Sequence, residues 1–389
     1  MAVRRYECVV ARSVDEIVEH RDAWDDFSKR KLEENLYISL PWLVATLRQY
    51  GEAMSPHWIV FIYGDDGVQR DLVGLAGFSL LAPNLLMPVP VVSTLVSPHG
   101  YLSHPVLDRD HAGEAFRSLW DWLDEPSHPW RIVLFDQLPN RSPVWKLLRD
   151  EATTRKRRIW LKYAASRSML RQVDSFDAYL SSLGRKRRRS FTRRWRKLEE
   201  AYGGQARLHR DRVTTPDLAE RFMKLEARSW KGEEGTALAS TDAGRRFFEE
   251  IIDVYDESGA LFCVETIIGG NPIGMTINFV QGSTLFAFKT AYDPEFRTFS
   301  PGILTEVQSV RYFLETAELE TAESGTTGDS YIDEYWNDAA DIMAVYVPTA
   351  RRTAGLVLRV VEAATALKRL LVNTGRWMRS KSQAGSSDN

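Results

Sequence analysis

Apolar and polar positions alternate with two periods along this chain, and the segments of each period follow one another from end to end. Tyr6–Ala11 has the two-residue period of a strand. Ser13–Lys29 reads as a helix opened by a Ser cap, with Glu16 three residues on at a capping-box spacing. Pro41–Tyr50 is a second helical stretch. His57–Tyr63 and Leu72–Leu81 are apolar runs separated by Gly64-Asp65-Asp66-Gly67, a hairpin signal. His111–Leu123 and Ser142–Ala152 predict helices, Trp130–Phe135 predicts a buried strand, and Ile159–Tyr163 a strand that ends this half.

The second half has a similar grammar. A helix over Ser175–Leu183 leads into the basic run from Arg185, which continues helically to Tyr202 and stops at Gly203-Gly204. A strand near Ala206–His209 and helices at Pro216–Ser229 and Asp242–Tyr255 follow. Three strands come next, Ala260–Ile268, Pro272–Val280 and Thr284–Tyr292, joined by the tight turns Gly269-Gly270-Asn271 and Gln281-Gly282-Ser283. After a helix over Pro301–Leu314 the pattern weakens into a strand-like region leading to Tyr331, and a helical tail covers Arg351–Arg379 before a disordered Ser/Gly/Asp end. Helix pairs, a three-stranded antiparallel meander and then a helix with further strands describe an α/β domain with a mixed sheet. The halves look like two copies of one plan, although no residue-level repeat links them.

Composition narrows the class. A net charge of −2 with 44% hydrophobic residues over 389 positions suits a globular protein with room for two domains, and argues against wholesale nucleic-acid binding, DNA above all. Cys8 and Cys263 are too few and too far apart for a disulfide framework or a cysteine metal site. The seven histidines have no ligand spacing, so no metal is expected. Met1–Val10 holds two arginines and no sustained apolar region, and no run approaches the ~20 apolar residues of a spanning helix. The expectation is a cytoplasmic protein. Leu356–Met378, with Arg359, Lys368, Arg369, Arg376 and Arg379 among its apolar residues, fits an amphipathic helix on anionic lipid at the inner membrane or a helix packed on the domain before it.

One segment carries a chemical possibility. The strand ending at Asp293 is followed by a short loop to Ser300-Pro301-Gly302 and by the amphipathic run Ile303–Leu314. A first helical turn leaves N–H groups unpaired, and the helix dipole puts partial positive charge there. Ser300 can cap, Pro301 suits the first helical position, Gly302 admits close backbone approach, and Arg297 can pair with a phosphate. The alternative is an ordinary capped helix. Arg185–Arg189 and Arg193–Lys197 likewise read either as a solvated helix face, with Leu183, Phe191 and Leu198 as its apolar stripe, or as a binder of anionic ligand, cofactor or RNA.

The order of several blocks is distinctive: Phe176–Leu183, the basic run ending Arg196-Lys197-Leu198-Glu199, Leu225–Gly232 with its Ser-Trp-Lys-Gly ending, Gly235–Leu238, Phe288–Asp293 and Ser300-Pro301-Gly302. On these the chain resembles the BioF2-like (CelD/BcsL-type) acetyltransferase family of the GNAT superfamily, over roughly residues 170–345. The resemblance implies a two-lobed GNAT-like fold, each lobe a mixed, mostly antiparallel sheet flanked by helices: residues 1–165, residues 166–348, and the tail 349–389. FemAB-type peptidyltransferases have two such lobes as well. One departure stands out. Family members often end the domain with an acidic-Gly segment and a Tyr-Lys pair, whereas Gly325–Ile332 has Ile332 in the lysine's place.

The resemblance also implies N-acyl transfer from acetyl-CoA or another acyl-CoA to a small-molecule amine, such as an amino sugar or nucleotide sugar in bacterial polysaccharide biosynthesis. The Thr284–Tyr292 strand should part from its neighbour to hold the pantetheine arm, with Thr290, Arg297, Ser300 and Gly302 binding the cofactor. Lys289 is a paired structural lysine or a group facing the reactants, and Asp293 accepts a substrate amine or caps the turn at Pro294. Glu226 and Trp230 are four apart, so they share a helix face, where an acid beside a large aromatic has a raised pKa suited to a general base. The other reading is a core tryptophan beside a solvated glutamate. Asp329 is the second candidate base, and Trp230 and Lys231 are placed with Asp293 at the substrate. Two alternatives remain open: an aminoacyl or peptidyl transferase using charged tRNA, and a non-catalytic scaffold in a membrane-associated polysaccharide complex.

Overall fold

Among the described residues thirteen strands form one sheet, and their order explains how the two halves of the chain are joined. The computed structural model describes residues 4–84, 87–209, 217–229, 235, 237–327, 330–351 and 354–362. The first half supplies β1 (Arg5–Ala11), β2 (His57–Asp65), β3 (Arg70–Leu81), β4 (Val91–Thr94), the two-residue β5 (Val106–Leu107) and β6 (Ile132–Pro139). After β7 (Trp160–Arg171), the second half supplies β8 (Gln205–His209), β9 (Leu261–Ile268), β10 (Asn271–Gln281), β11 (Thr284–Tyr292), β12 (Thr321–Glu323) and β13 (Asp338–Pro348). Across the sheet they run β1-β2-β3-β4-β6-β13-β7-β12-β11-β10-β9-β8, with β5 beside β3. Neighbours are antiparallel except at β4/β6 and β11/β12.

Each half therefore repeats one plan of four antiparallel strands, a parallel step to a fifth and an antiparallel sixth. The sixth strands are exchanged. β13, from the end of the chain, lies on β6, while β7, which follows the first half, lies on β12, and the two pair with each other along Asp338–Tyr346. Residues 165 and 166, where the sequence divides the lobes, fall in the middle of β7.

The helices are α1 (Val14–Val18), α2 (Arg21–Phe27), α3 (Leu40–Tyr50), α4 (Ala112–Leu123), α5 (Pro143–Thr154), α6 (Phe176–Ser182), α7 (Gly184–Tyr202), α8 (Leu218–Ala227), α9 (Asp242–Glu257) and α10 (Pro301–Glu315), followed by a helical stretch at 354–362. The single helix expected over Ser13–Lys29 is two. Ser13 caps the first through the Glu16 N–H, but His20 hydrogen-bonds Tyr63 at 2.7 Å and stacks on Phe61, which breaks the run between them. α7 ends as expected at Gly203, whose φ of 62° suits a residue without Cβ. Most of the proposed tail, beyond residue 362, lies outside the described residues. No described helix is long and apolar enough to cross a membrane.

The core nearest the site is shared by both halves. Trp42 on α3 is fully buried and meets Phe247 on α9, Phe279 on β10 and Phe288 on β11, all edge-on with ring centroids 5.4–5.8 Å apart. Aromatic contacts of this geometry fix orientation as well as burying area. They hold β11 in place from the first half of the chain.

Candidate active site

β11 lies between β10 and β12, but β12 pairs with it only over Thr284–Phe286. Beyond Phe286 no described strand covers that edge, while β10 stays paired on the other side to Tyr292. The strand parts from its neighbour as the resemblance implies. The β10/β11 register also shifts between Ile277 and Asn278, so Phe288 is an extra residue, a β-bulge of the kind that re-aims backbone and side chains beside active sites. The opening is a cleft of about 560 Å³ lined by Phe288, Lys289, Thr290 and Tyr292 of β11, by Arg297 and Ser300–Ile303, by Glu306, by Ser324 and Thr326, and by Ser330–Ile332. Tyr101, from the first half of the chain, closes its inner end.

One wall is the N-terminus of α10. Pro301 occupies the first turn as expected, but Ser300 is not a side-chain cap: its backbone is left-handed, at φ 54° and ψ 60°, and its hydroxyl makes no capping bond. Its own N–H instead donates to the Arg297 carbonyl, so the chain turns sharply into the helix. The first intrahelical bond runs from the Leu304 N–H to the Ser300 carbonyl, and Pro301 has no N–H. The N–H groups of Gly302 and Ile303 therefore lack intrahelical acceptors and border the cleft. A Cβ on Gly302 would stand 3.2 Å from the Tyr292 ring, so glycine keeps this wall open. Exposed Arg297 stands at the mouth. A helix N-terminus, a nearby guanidinium and a long cleft fit the pyrophosphate and pantetheine of an acyl-CoA.

Glu306, one turn further along α10, is 4% exposed. Burial pushes its carboxyl up to about 7, against a single opposing hydrogen bond of 2.9 Å from Trp336 Nε1. Opposite stands Tyr331. The residue is 39% exposed, yet its hydroxyl is turned inward to a hydrogen bond with Thr290, and burial and the Glu306 charge raise its pKa. Tyr331 sits in a short turn, Tyr331–Glu334, held by reciprocal bonds between Ser330 and Asp333 and by the Ser168 hydroxyl of β7 on Asp333. Lys289 lies with its ammonium 5.7 Å from the Phe288 ring centroid. Burial, and after it the Lys289 charge, lowers the pKa of His99 to about 4, so that histidine is neutral where it stacks on Phe247 and meets Tyr50.

Lys289, Thr290, Arg297, Ser300 and Gly302 thus come together in the cleft. Glu226 does not join them. It is fully buried rather than solvated, behind the lining, where burial and then its charge help raise the pKa of the Tyr101 hydroxyl, and Oε2 accepts the Leu238 N–H at 2.8 Å, fixing the segment after α8. Asp293 also turns away: it caps the Glu295 N–H at 3.0 Å and accepts from Arg228 at 3.2 Å, so the turn reading holds. Trp230, Lys231 and Asp329 lie outside the described residues. Among those described, no group of His, Cys, Asp and Glu is arranged to hold a metal. Glu306 and Tyr331 are the residues that sequence reasoning passed over. Glu306 had a readable signal, a lone carboxylate on the apolar stripe between Ile303 and Val310.

The comparisons agree with this geometry. Residues 185–333 match the family model described as an acetyltransferase (GNAT) domain. The chain carries a GNAT-type acetyltransferase domain and is an enzyme of the N-acyltransferase class, with acyl-CoA as the implied co-substrate. No curated protein matches it. Among solved structures it is similar to FemX, at a TM-score of 0.56 and 13% identity over 88% of this chain and 96% of that one. It is also similar to a conserved protein of unknown function from Bacteroides thetaiotaomicron, at 0.52 and 11% over 85% and 97%. At such identities these likenesses establish the fold.

Proposed function

We propose that the protein transfers an acyl group, acetyl in the first instance, from acyl-CoA to the amine of an amino sugar or nucleotide sugar. The observation that carries this reading is the juxtaposition of Glu306, with its carboxyl pushed up to about 7, and the unpaired N–H groups of Gly302 and Ile303 along one cleft. Acyl-CoA, when bound, supplies an activated thioester carbonyl. Gly302, Ile303 and Arg297 hold its phosphates. Glu306, ionised above about pH 7, takes the proton that the acceptor nitrogen loses as the N–C bond forms. Tyr331, whose raised pKa keeps it protonated, returns a proton to the departing sulfur as the C–S bond breaks. Lys289 at the cleft wall favours an acceptor carrying phosphate or carboxylate, as a nucleotide sugar does.

The setting that suits such an acceptor is the cytoplasmic stage of surface-polysaccharide assembly, with the BioF2-like, CelD/BcsL-type relationship as the finer family assignment. Calorimetry with acetyl-CoA tests the cofactor half of the reading: binding is expected, weakened by Arg297→Ala and abolished by Gly302→Phe. A chain that binds no coenzyme A thioester overturns it. A panel of free and nucleotide-linked amino sugars tests the acceptor, and Lys289→Met is expected to raise KM for the anionic members more than for the neutral ones.

A further inference from the structure

On the outer side of the second half a wide groove of about 1160 Å³ runs along α6 and α7. It is lined by Arg185, Lys186, Arg188, Arg189, Arg193 and Arg196, with Asp177 as its one acid. All six cations are exposed. Among the described residues, no carboxylate pairs with Arg185, Lys186, Arg188, Arg189 or Arg193, and Arg196 has only a loose contact of 3.5 Å with Glu200. Arg185, Arg189 and Arg193 fall four apart in one row, a cation about every 6 Å, and Arg188 and Arg196 flank Thr192 in the next, about 12 Å apart, so the two rows together cover roughly 16 Å of helix.

This arrangement opposes helix stability. Like charges four apart repel, and Arg185, Lys186 and Arg187 occupy the first turn, where the helix dipole favours acids. Of these first-turn cations only Arg187 has an acid partner among the described residues, Glu334, and local rules broken in this way fall at functional or strained sites. The chemistry of the groove narrows its ligand. The helix turns Phe191 and Leu198 into the core and packs Trp195 on Phe191, so among the described residues the groove offers no ring for a base or sugar to stack on, and its one apolar side chain, the partly buried Leu180, is a poor anchor for a bilayer. Guanidinium groups repeated at a phosphate-like interval, without stacking platforms, match a regular phosphate backbone.

We infer that this groove docks the phosphate backbone of a double-helical nucleic acid. Arg187, which pairs with Glu334 in the turn carrying Tyr331, ties the docking helix to the rim of the acyl cleft. The inference is independent of which amine the cleft acylates. Its test is fluorescence anisotropy on the full chain with a labelled RNA hairpin, a DNA hairpin, an unstructured single strand of equal length, and vesicles of phosphatidylglycerol in phosphatidylcholine. Both hairpins are expected to bind more tightly than the single strand and the vesicles. For Arg185→Gln/Arg189→Gln/Arg193→Gln, three lost phosphate contacts lower the slope of log affinity against log salt by about 2.7 and weaken hairpin binding at least tenfold at about 50 mM salt. Acetyl-CoA binding, unchanged from wild type in that variant, shows that the fold is intact. Absence of hairpin binding at low salt, binding indifferent to the triple substitution, or preference for vesicles or the single strand overturns the proposal.

Discussion

Glu306 is held by two opposing effects whose balance can be moved separately. Burial raises its carboxyl, and the Trp336 N–H, bonding the ionised form, restrains the rise. If Glu306 is the base, the rate should climb with pH through about 7 and level off above it. Glu306→Gln should lower kcat by roughly 10²-fold or more, the usual range for a general base, and abolish that limb while leaving acetyl-CoA binding near wild type. Trp336→Phe removes the restraining donor, so the limb should move to higher pH with kcat at its plateau retained; a shift to lower pH would contradict the assignment. Stability follows with a definite sign. The folded pKa lies above the ordinary 4.5, so the native state binds the extra proton, and this contribution is complete below about 4.5 and lost as pH rises to about 7. Thermal melts of Glu306→Gln should therefore decline less than wild type across that window. The contrast with Glu226 shows where sequence reading stops. Both acids sit on buried helix faces, but only the fold reveals that one is spent on the Leu238 N–H while the other faces a cavity.

The position of α10 sets the cleft, and one contact sets the position of α10. Gly274 of β10 lies directly beneath the helix: a Cβ there would stand 2.3 Å from Thr305 Oγ1 and 3.1 Å from the Pro301 carbonyl oxygen. Thr305 is already committed, bonding Thr266 at 2.7 Å and Pro301 at 2.8 Å, so the side chain has no easy retreat. Gly274→Ala should cost about 1–3 kcal/mol, as overpacking does. It should also weaken acetyl-CoA binding by displacing the helix start, both readable from denaturant melts and calorimetry; a variant as stable as wild type would show that the helix yields freely. Strand β11 and helix α10 were legible because each has a clean period and a turn signal at its ends. β13 was not, since Asp338–Asp341 reads Asp-Ala-Ala-Asp and its place is fixed by β6 and β7 rather than by its own pattern. The cleft's inner wall, Tyr101, was beyond reach for the same reason: it arrives from a distant part of the chain.

Exchange of the sixth strands makes the two halves mutually dependent. At the seam, buried Arg167 of β7 donates to Glu323 of β12 at 2.7 Å, to the Tyr101 carbonyl at 2.7 Å and to Gln137 at 2.9 Å, so one guanidinium ties β7 to both halves. Removing one partner of a buried pair strands the other, and Arg167→Met should cost about 3–5 kcal/mol, most of it recovered by adding Glu323→Met. Failure of the second substitution to rescue would mean that the bonds to Tyr101 and Gln137 carry the load. The same topology predicts the fate of fragments. Residues 1–165 keep β6 but lose β13, and cut β7 in half; residues 166–348 keep β13 but lose the β6 on which it lies. Each piece exposes the row of unpaired backbone groups that edge strands must hide, so each alone should aggregate. The whole chain should unfold in a single denaturant transition, with Trp120 in the first half and the acyl cleft in the second reporting the same midpoint. Two separated midpoints, or a soluble 166–348 fragment that binds acetyl-CoA, would show that the exchanged strands are dispensable and that each half closes its own sheet.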